Sequence, residues 1–371
     1  MRHFFQWSQV SAFRLTRHHF VDQNPAELTA VCRDVCGIQS QVMAAAEMAL
    51  WARIHGLARA DIHSALYESR TLVKTSCMRQ TLHLLPAADF SIYISALKRS
   101  RLEALRRIFS KFGVTQKEVD KMNEAVVDAL GAGPMAQREL TEQVKSTAGK
   151  KVRTWMERVW SVFRPAIVEG LICYGPNRGQ EVTFVRVDQW LPKQRKVSEE
   201  EAKQVLLRRY LSAYGPATVR DFSRWTGISM KEARAIWESL CEETVEVSVE
   251  DKKASILRKD HEQLTNSDLR ESTLCLLPSF DPYMLGHVEK DHLVDPSCYK
   301  RVYRNQGWIS PVALLNGRVI GIWSYTLGRG GLSLEVALFD ELSKTIQARI
   351  KQEAESLGLF LEKASKLTLL S

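Results

Sequence analysis

Long apolar runs are absent from this sequence of 371 residues. No stretch of about eighteen apolar residues occurs, and a helix that crosses a bilayer needs at least that length. The N-terminal MRHFFQWSQVSAFRLTRHHF mixes His, Arg and Gln into its apolar pattern, whereas a signal peptide has an uninterrupted apolar centre. We therefore expect no membrane partner and a cytoplasmic protein, associated with the nucleoid if its source is a bacterium.

Signatures of metal and nucleotide sites are also missing. Of the seven scattered cysteines only Cys32 and Cys36 lie close together, and no second pair follows at the spacing of a zinc site. His18 and His19 are adjacent, so on a helix they cannot share a face. The glycine-rich GRGG at Gly328 to Gly331 is not followed by Lys-Ser/Thr and is no P-loop. The sequence predicts reduced thiols, no metal and no cofactor.

Acidic residues are in deficit. The chain has 43 Asp and Glu against 52 Lys and Arg, which gives a formal net charge of +9 and a pI near 9.2. This modest excess favours a polyanionic partner. The length exceeds that of most single domains, so we expect about two to four of them.

The sequence repeats itself at an offset of 82 residues. GPMAQREL at Gly133 to Leu140 returns as GPATVRDF at Gly215 to Phe222. In both copies Gly-Pro ends an apolar helix, and a short helix begins near the Arg. A second helix follows, at Lys151 to Arg164 with a stop or kink at Pro165 in the first copy, and at Ser229 to Leu240 in the second. Two strands come next in each copy, and this order describes a winged helix-turn-helix.

The two ends of the chain complete the predicted fold. Helices between Ser8 and Ser69 lead into the hairpin-like TLVKTSCMRQTLHLLP, a weaker copy without Gly-Pro. Beyond about residue 270 strands dominate, with a type I′ turn at Asn316-Gly317, a helix at Glu341 to Ser356 and a strand near Leu359 to Leu370.

The predicted class is α+β, mainly α: three tandem winged helix-turn-helix modules and a small C-terminal β-barrel with a helix. The predicted boundaries are 1–112, which holds the candidate active site, 113–196, 197–269 and 270–371.

Basic residues distinguish the second module from the third. The long helix of the second module carries Lys151 and Arg153, and its wing has Arg178 at the tip. These side chains can contact phosphates, and so can Arg329 at the tip of the GRGG hairpin. The corresponding helix of the third module has acidic residues beside its basic ones and is a poor candidate for a DNA groove. A solvated basic face and a winged-helix protein scaffold remain as alternatives to DNA binding.

Two glutamines, Gln39 and Gln41, lie in CGIQSQ just after a predicted helix. Gly37 is expected to adopt the left-handed conformation that ends this helix. On an extended segment residues at i and i+2 point to the same side, so both carboxamides can converge on one small target. A carboxamide can hold water or a base edge, but it is no strong base. Such groups suit a leaving group that is already activated, as in hydrolysis of an N7-alkylated purine nucleotide. From the residues alone, a solvated polar corner is the commoner explanation.

The order of motifs resembles that of the AlkZ/YcaQ family of winged-helix DNA glycosylases. The resemblance spans nearly the whole chain and rests on FRLTRHHF at 13–20, GIQSQ at 37–41, MRQTLHLLPAADF at 78–90, GPATVRDFSRWTG at 215–227, LLPSFDPYMLGH at 276–287 and VALLNGRVIGIW at 312–323. It implies three winged helices and a C-terminal β-barrel around a concave DNA channel, and excision of N7-alkylguanine. It also implies that Gln39 and Gln41 correspond to the catalytic pair of the AlkZ-like branch. In that branch the residue between the two glutamines is aliphatic, whereas this chain has Ser40.

Four further residues are candidates for contacting DNA or lining the site. Arg79, Thr81 and His83 alternate along MRQTLHLLP, which predicts that they share one face of a strand. For His83 a purely structural role is the commoner alternative. Asp281 in SFDPY is predicted as a turn residue. In the channel it would instead be a carboxylate able to stabilise an oxocarbenium ion or act as a base.

The predicted function is that of a monofunctional DNA glycosylase that also unhooks interstrand crosslinks. Water held by Gln39 and Gln41 attacks the anomeric carbon as a cationic N7-alkylated purine departs. No lysine adjoins the amide pair in sequence, which disfavours Schiff-base chemistry. The expected partner is double-stranded DNA with alkylated or crosslinked bases, and a monomer is expected. The main alternative is a non-enzymatic winged-helix transcriptional regulator that prefers one DNA sequence.

Overall fold

The computed structural model describes residues 4–21, 27–158, 162–269, 272–328 and 330–370. The chain divides into two compact units. The first unit comprises Met1–Ile62, Leu207–Trp225 and Met230–Ser371, and the second comprises His63–Leu206 and Thr226–Ser229. Helices and β-sheets occur in both, which confirms the predicted α+β class.

The α-helices, in chain order, are α1 (Trp7–Arg17), α2 (Leu28–Asp34), α3 (Met43–Trp51), α4 (Arg59–Tyr67), α5 (Phe90–Lys111), α6 (Gln116–Ala129), α7 (Gln137–Thr147), α8 (Lys150–Arg158), α9 (Arg164–Val168), α10 (Val187–Trp190), α11 (Glu199–Tyr214), α12 (Val219–Thr226), α13 (Met230–Glu238), α14 (His261–Thr265), α15 (Pro282–Leu285), α16 (Tyr299–Val302) and α17 (Lys344–Phe360). Within the described ranges no helix has both the length and the apolar character that spanning a bilayer requires.

The strands are β1 (Phe4–Phe5), β2 (Ile38–Gln39), β3 (Leu72–Ser76), β4 (Leu82–Pro86), β5 (Met135–Ala136), β6 (Ile172–Tyr174), β7 (Thr183–Arg186), β8 (Thr244–Val249), β9 (Lys252–Leu257), β10 (Leu274–Leu277), β11 (Val312–Leu315), β12 (Arg318–Gly328), β13 (Gly331–Leu338) and β14 (Ser365–Leu370). Most are short, and β12 is the longest with 11 residues.

The C-terminal strands of the first unit form an open sheet. Strands β10 to β14 lie side by side in chain order, antiparallel as far as β13, and β14 joins β13 in parallel. Because β10 and β14 are at opposite edges, no closed barrel is found among the described residues, and this corrects the predicted β-barrel. The predicted type I′ turn is confirmed, since Asn316 and Gly317 have φ values of 51° and 84°.

A smaller sheet in the first unit has the order β1-β8-β9. Its hairpin β8–β9 confirms the strand pair predicted after the second Gly-Pro repeat. The N-terminal strand β1 adds in parallel to β8, with Phe5 opposite Val249. Phe5 and Val249 belong to one buried cluster with Val10 and Phe13 of α1 and Ile256 of β9, so apolar burial attaches α1 to this hairpin.

The second unit is built on strands in the order β4-β3-β6-β7-β5, and both of its predicted hairpins, β3–β4 and β6–β7, are present. Edge-to-face ring pairs join its helices and strands: Phe109 with Trp155 at 5.2 Å and Phe163 with Phe184 at 5.4 Å between ring centres. Pro165 was predicted to stop or kink the preceding helix, but it lies in the first turn of α9. That position tolerates proline because a helix's first N–H groups have no intrahelical acceptor.

Three histidines of the first unit, His18, His287 and His292, are buried. Arg14 donates to Nε2 of His292 at 3.0 Å, and an imidazole nitrogen accepts only when it carries no proton. Nε2 of His287 lies 2.9 Å from both Nη2 of Arg14 and the Tyr214 carbonyl oxygen. Burial lowers the pKa of all three well below the ordinary value, and the positive charge of Arg53 or Arg14 lowers it further.

We therefore expect the free energy of unfolding of the first unit to fall as the pH drops below about 6.5, the ordinary histidine pKa. Below this pH the histidines of the unfolded chain bind protons, whereas the buried rings of the folded chain do not. The three histidines together contribute a loss of about 4 kcal/mol between about pH 7.5 and 5.5. Glu353, whose pKa burial raises to about 7, partly offsets this loss, and urea unfolding at both pH values measures the sum. His292→Gln keeps an acceptor for Arg14 without a titrating ring, and it should lose about 1.4 kcal/mol less than the wild type over the same range. A flat dependence on pH would contradict the expectation.

Candidate active site

Residues 37–42, which we call the amide connector, join α2 to α3 and contain both glutamines of the CGIQSQ motif. Cys36 and Gly37 have left-handed φ values of 60° and 94°, and the Gly37 amide donates to the Cys32 carbonyl at 2.7 Å. The chain then runs extended through β2, and α3 begins only after Val42. The predictions that Gly37 ends the helix and that Gln39 lies on extended backbone are confirmed.

The two amides differ in exposure. The side chain of Gln39 is buried, whereas Gln41 is exposed. Because a carboxamide does not ionise near neutral pH, Gln39 is buried without the cost of desolvating a charge. One amide of the pair is buried and the other is exposed to solvent. Together they can hold a water molecule at the protein surface.

Ser40, between the two glutamines, is completely buried, with 0% of its surface exposed. Its Oγ has no hydrogen-bond partner among the described residues. A buried hydroxyl without a partner costs about 1–3 kcal/mol. The surroundings of Ser40 thus suit an apolar side chain, in agreement with the aliphatic residue that the family resemblance implies at this position.

A buried ion pair supports the helix that follows the connector. Arg53, just beyond α3, donates through Nη1 and Nη2 to the two carboxylate oxygens of Asp281 at 2.8 and 2.7 Å, and both side chains are fully buried. Nη1 also donates to the Ala49 carbonyl at 2.6 Å, and the guanidinium lies 4.4 Å from the centre of the Phe20 ring. Asp281 accepts from the Tyr283 amide and caps α15. These contacts favour the turn role of Asp281 over contact with DNA.

Arg79, Thr81 and His83 lie in the second unit, where hairpin β3–β4 turns. Arg79 and Gln80 have left-handed φ values of 52° and 63°, and β4 begins only after Thr81. The Thr81 hydroxyl donates to the Met78 carbonyl at 3.0 Å. The prediction that these three residues share one strand face is wrong, because the tight turn removes Arg79 and Thr81 from the strand.

His83 itself is buried, and its Nδ1 lies 3.0 Å from the Thr81 carbonyl. Since a carbonyl only accepts, Nδ1 donates and Nε2 is left without a proton in the neutral ring. Burial, followed by the charge of Arg79, lowers the pKa of His83 to about 3. A ring that stays neutral at physiological pH and donates to the neighbouring Thr81 carbonyl favours the structural alternative for His83.

The predicted basic residues have different surroundings. Lys151 and Arg153 are exposed on α8, and within the described ranges neither forms an ion pair. Arg178, at the wing, contacts the Glu139 carboxylate at 3.0 Å and donates to the Pro134 carbonyl at 2.8 Å. Lys151 and Arg153 are therefore better placed than Arg178 to bind a phosphate. Arg329 lies outside the described residues.

Positive charge is concentrated in the second unit. That unit has 24 Lys and Arg against 16 Asp and Glu, which accounts for +8 of the chain's net charge of +9. The first unit is nearly balanced, with 28 basic and 27 acidic residues. A polyanion is thus attracted mainly by the second unit.

The sequence reasoning overlooked the buried arginines of the first unit. Arg53 stands in the otherwise mostly apolar MALWARIHGL, and this unusual setting was its only local signal. Arg14 donates to the Gly215 and Pro216 carbonyls at 3.3 and 2.8 Å, partners about two hundred residues away in the chain.

Within the described ranges no group of His, Cys, Asp and Glu is arranged to hold a metal ion.

Comparisons with known proteins agree with this picture. A family model described as DNA glycosylase AlkZ-like matches residues 32–360. The Interstrand DNA cross-link repair glycosylase of Streptomyces sahachiroi is 33% identical over 327 residues, which cover 85% of this chain and 87% of that protein. The solved structure of Streptomyces sahachiroi DNA glycosylase AlkZ is similar with a TM-score of 0.86 and 28% identity, over 98% of this chain and 99% of that one.

Ser40→Ala should raise the stability of the protein by about 1 kcal/mol, because it removes a buried hydroxyl without a partner. Thermal or urea unfolding measures the change. Ser76→Ala is the matched control: the Ser76 hydroxyl accepts from Nη2 of Arg101 at 2.8 Å, so its removal should lower stability. A loss of stability in Ser40→Ala would show that its hydroxyl has a partner after all.

Proposed function

The chain belongs to the AlkZ-like family of DNA glycosylases, and we propose on that basis that it hydrolyses the N-glycosidic bond of N7-alkylated purines in double-stranded DNA. The observation that carries this proposal is the amide connector, which takes Gln39 off the helix and encloses it beside the exposed Gln41. A relative named for interstrand crosslink repair supports a second substrate class, pairs of purines in opposite strands that a crosslink joins. We propose that the crosslink is attached at N7 of each purine.

The proposed reaction needs little acid or base assistance. An N7-alkylated purine is already cationic, so the C1′–N9 bond breaks with its electron pair moving into the imidazolium ring, and the base leaves neutral. The sugar becomes oxocarbenium-like, and the water held by Gln39 and Gln41 adds to C1′ and loses a proton to solvent. Two neutral amides place the water without having to ionise, which is the contribution this chemistry requires.

Three winged helix-turn-helix modules are part of the proposal. A short strand, two or three helices and a hairpin follow one another three times: β2, α3, α4, β3 and β4; then β5, α7, α8, the short α9, β6 and β7; then Ala217, bridged to Ser255, with α12, α13, β8 and β9. A glycine lies one or two residues before each short strand, at Gly37, Gly133 and Gly215. The order supports modules at 1–112, 113–196 and 197–269, with 270–371 as the C-terminal region.

DNA binding is assigned to the second unit because it carries nearly all of the excess positive charge. Lys151 and Arg153 are the residues proposed to contact phosphates, since both are exposed on α8. Membership of a glycosylase family sets aside the non-enzymatic regulator. A monomeric state and a cytoplasmic location, near the nucleoid in a bacterium, remain predictions.

Gln39→Ala and Gln41→Ala should each slow the release of 7-methylguanine from alkylated duplex DNA by about 100-fold, because the attacking water loses a positioning group. Single-turnover base release, with enzyme in excess, measures the rate constant. Ser40→Ala alters the same connector without touching either amide and should keep the wild-type rate. Unchanged release by both glutamine variants would exclude the proposed roles, and no release by the wild type would exclude the substrate.

Lys151→Ala combined with Arg153→Ala should weaken duplex binding and reduce the slope of log K against log salt by about 2, one unit for each lost phosphate contact. Titrations by fluorescence anisotropy at several salt concentrations give the slope. Lys231→Ala with Arg234→Ala is the control, because these residues are also exposed and basic but lie on α13 of the first unit. Equal slopes for the two double variants would contradict the assignment of DNA binding to α8.

A further inference from the structure

The last turn of α2 has a buried carbonyl that the helix itself cannot satisfy. Val35, the C-cap residue, is fully buried, and carbonyls at a helix end have no intrahelical donor. The hydroxyl of Tyr214 donates to the Val35 carbonyl at 3.0 Å. A residue 179 positions away along the chain therefore completes the end of α2, immediately before the amide connector.

The side chain that makes this bond is held firmly. Tyr214 is the last residue of α11 and is buried. Gly286 packs so closely on its ring that a Cβ at that glycine would lie 2.2 Å from a ring carbon. The ring of His18 meets Tyr214 edge to face at 5.1 Å, and Trp225 lies at 5.8 Å between ring centres. The hydroxyl of Tyr214 is thus a fixed point to which the end of α2 is attached.

The chain between this fixed point and the candidate catalytic amide is short. Cys36 and Gly37, both left-handed, are followed by Ile38 and then by Gln39. Three buried residues therefore separate the Val35 carbonyl from Gln39. We propose that Tyr214 is a positioning residue of the glycosylase, holding the amide connector so that Gln39 places the attacking water. This inference rests on the function proposed for Gln39.

A second attachment exists on the far side of the connector, but it gives no clean test. Arg53 is tied to Asp281 and to the Ala49 carbonyl of α3. Removing either charged partner leaves the other charge buried without compensation, which unfolds many proteins. Tyr214→Phe deletes one neutral hydroxyl and keeps the ring, so it isolates the attachment at Val35.

The chain also provides a matched control. Tyr210, one turn earlier on α11, is buried in the same way, and its hydroxyl donates to the Gly286 carbonyl at 2.7 Å. Tyr210→Phe therefore removes an equivalent buried hydrogen bond from the same helix but leaves the Val35 carbonyl bonded. The two variants should lose similar amounts of stability.

The experiment measures single-turnover release of 7-methylguanine and the affinity for the same duplex, using the full chain. Tyr214→Phe should lower the rate constant by about 10-fold, as a small misplacement of a catalytic group does, with the dissociation constant for DNA within about twofold of wild type. Tyr210→Phe should keep the wild-type rate constant. Hydrogen exchange, which needs no catalysis, should become faster at residues 36–42 in Tyr214→Phe only.

The outcomes separate this inference from the function on which it rests. Release by the wild type and its loss in Gln39→Ala, together with equal rate constants for the two tyrosine variants, would overturn the positioning role alone. Equal hydrogen exchange at residues 36–42 in both tyrosine variants would overturn it as well. No release by the wild type would overturn the proposed substrate, and with it the positioning role of Tyr214.

Discussion

The ion pair between Arg53 and Asp281 is the constraint on which the first unit depends. Burying two charges costs several kcal/mol each, and only good geometry and further hydrogen bonds to the two groups offset that cost. Here both carboxylate oxygens are bonded, one guanidinium nitrogen also reaches the Ala49 carbonyl, and Asp281 accepts a backbone amide. Among the described residues Nε of Arg53 has no partner. The pair joins the helix after the amide connector to the segment after β10, 228 residues away.

The buried imidazoles of the first unit and the Cys32 thiol stay neutral near neutral pH. Arg14 donates to the Pro216 carbonyl and to the neutral His292 ring, and Tyr214 bonds a backbone carbonyl. Burial raises the pKa of the Cys32 thiol to about 12, so it remains protonated. The chemistry proposed for Gln39 and Gln41, with two neutral amides and a departing cation, needs rigid support more than it needs a titrating group.

The two units have different electrostatic characters. The second carries +8 of the net charge of +9, whereas the first contains the connector, the ion pair and the buried histidines. Attraction of a polyanion acts over a distance and needs only exposed charge, whereas positioning a water molecule needs contacts fixed to within an ångström. The proposed DNA binding and the proposed positioning of water thus fall to separate sets of residues.

Features that depend on neighbouring residues were predictable from the sequence. The left-handed Gly37, the Asn316-Gly317 turn, the hairpins and the strand at Gln39 follow from local backbone preferences and from periodicity. Contacts between distant segments were not. Which segments meet decides the pairing of Asp281 with Arg53 and the burial of Ser40. It also decides that β10 and β14 are separate edges of an open sheet. Local sequence determines conformation, but burial and partners are decided only when the chain is packed.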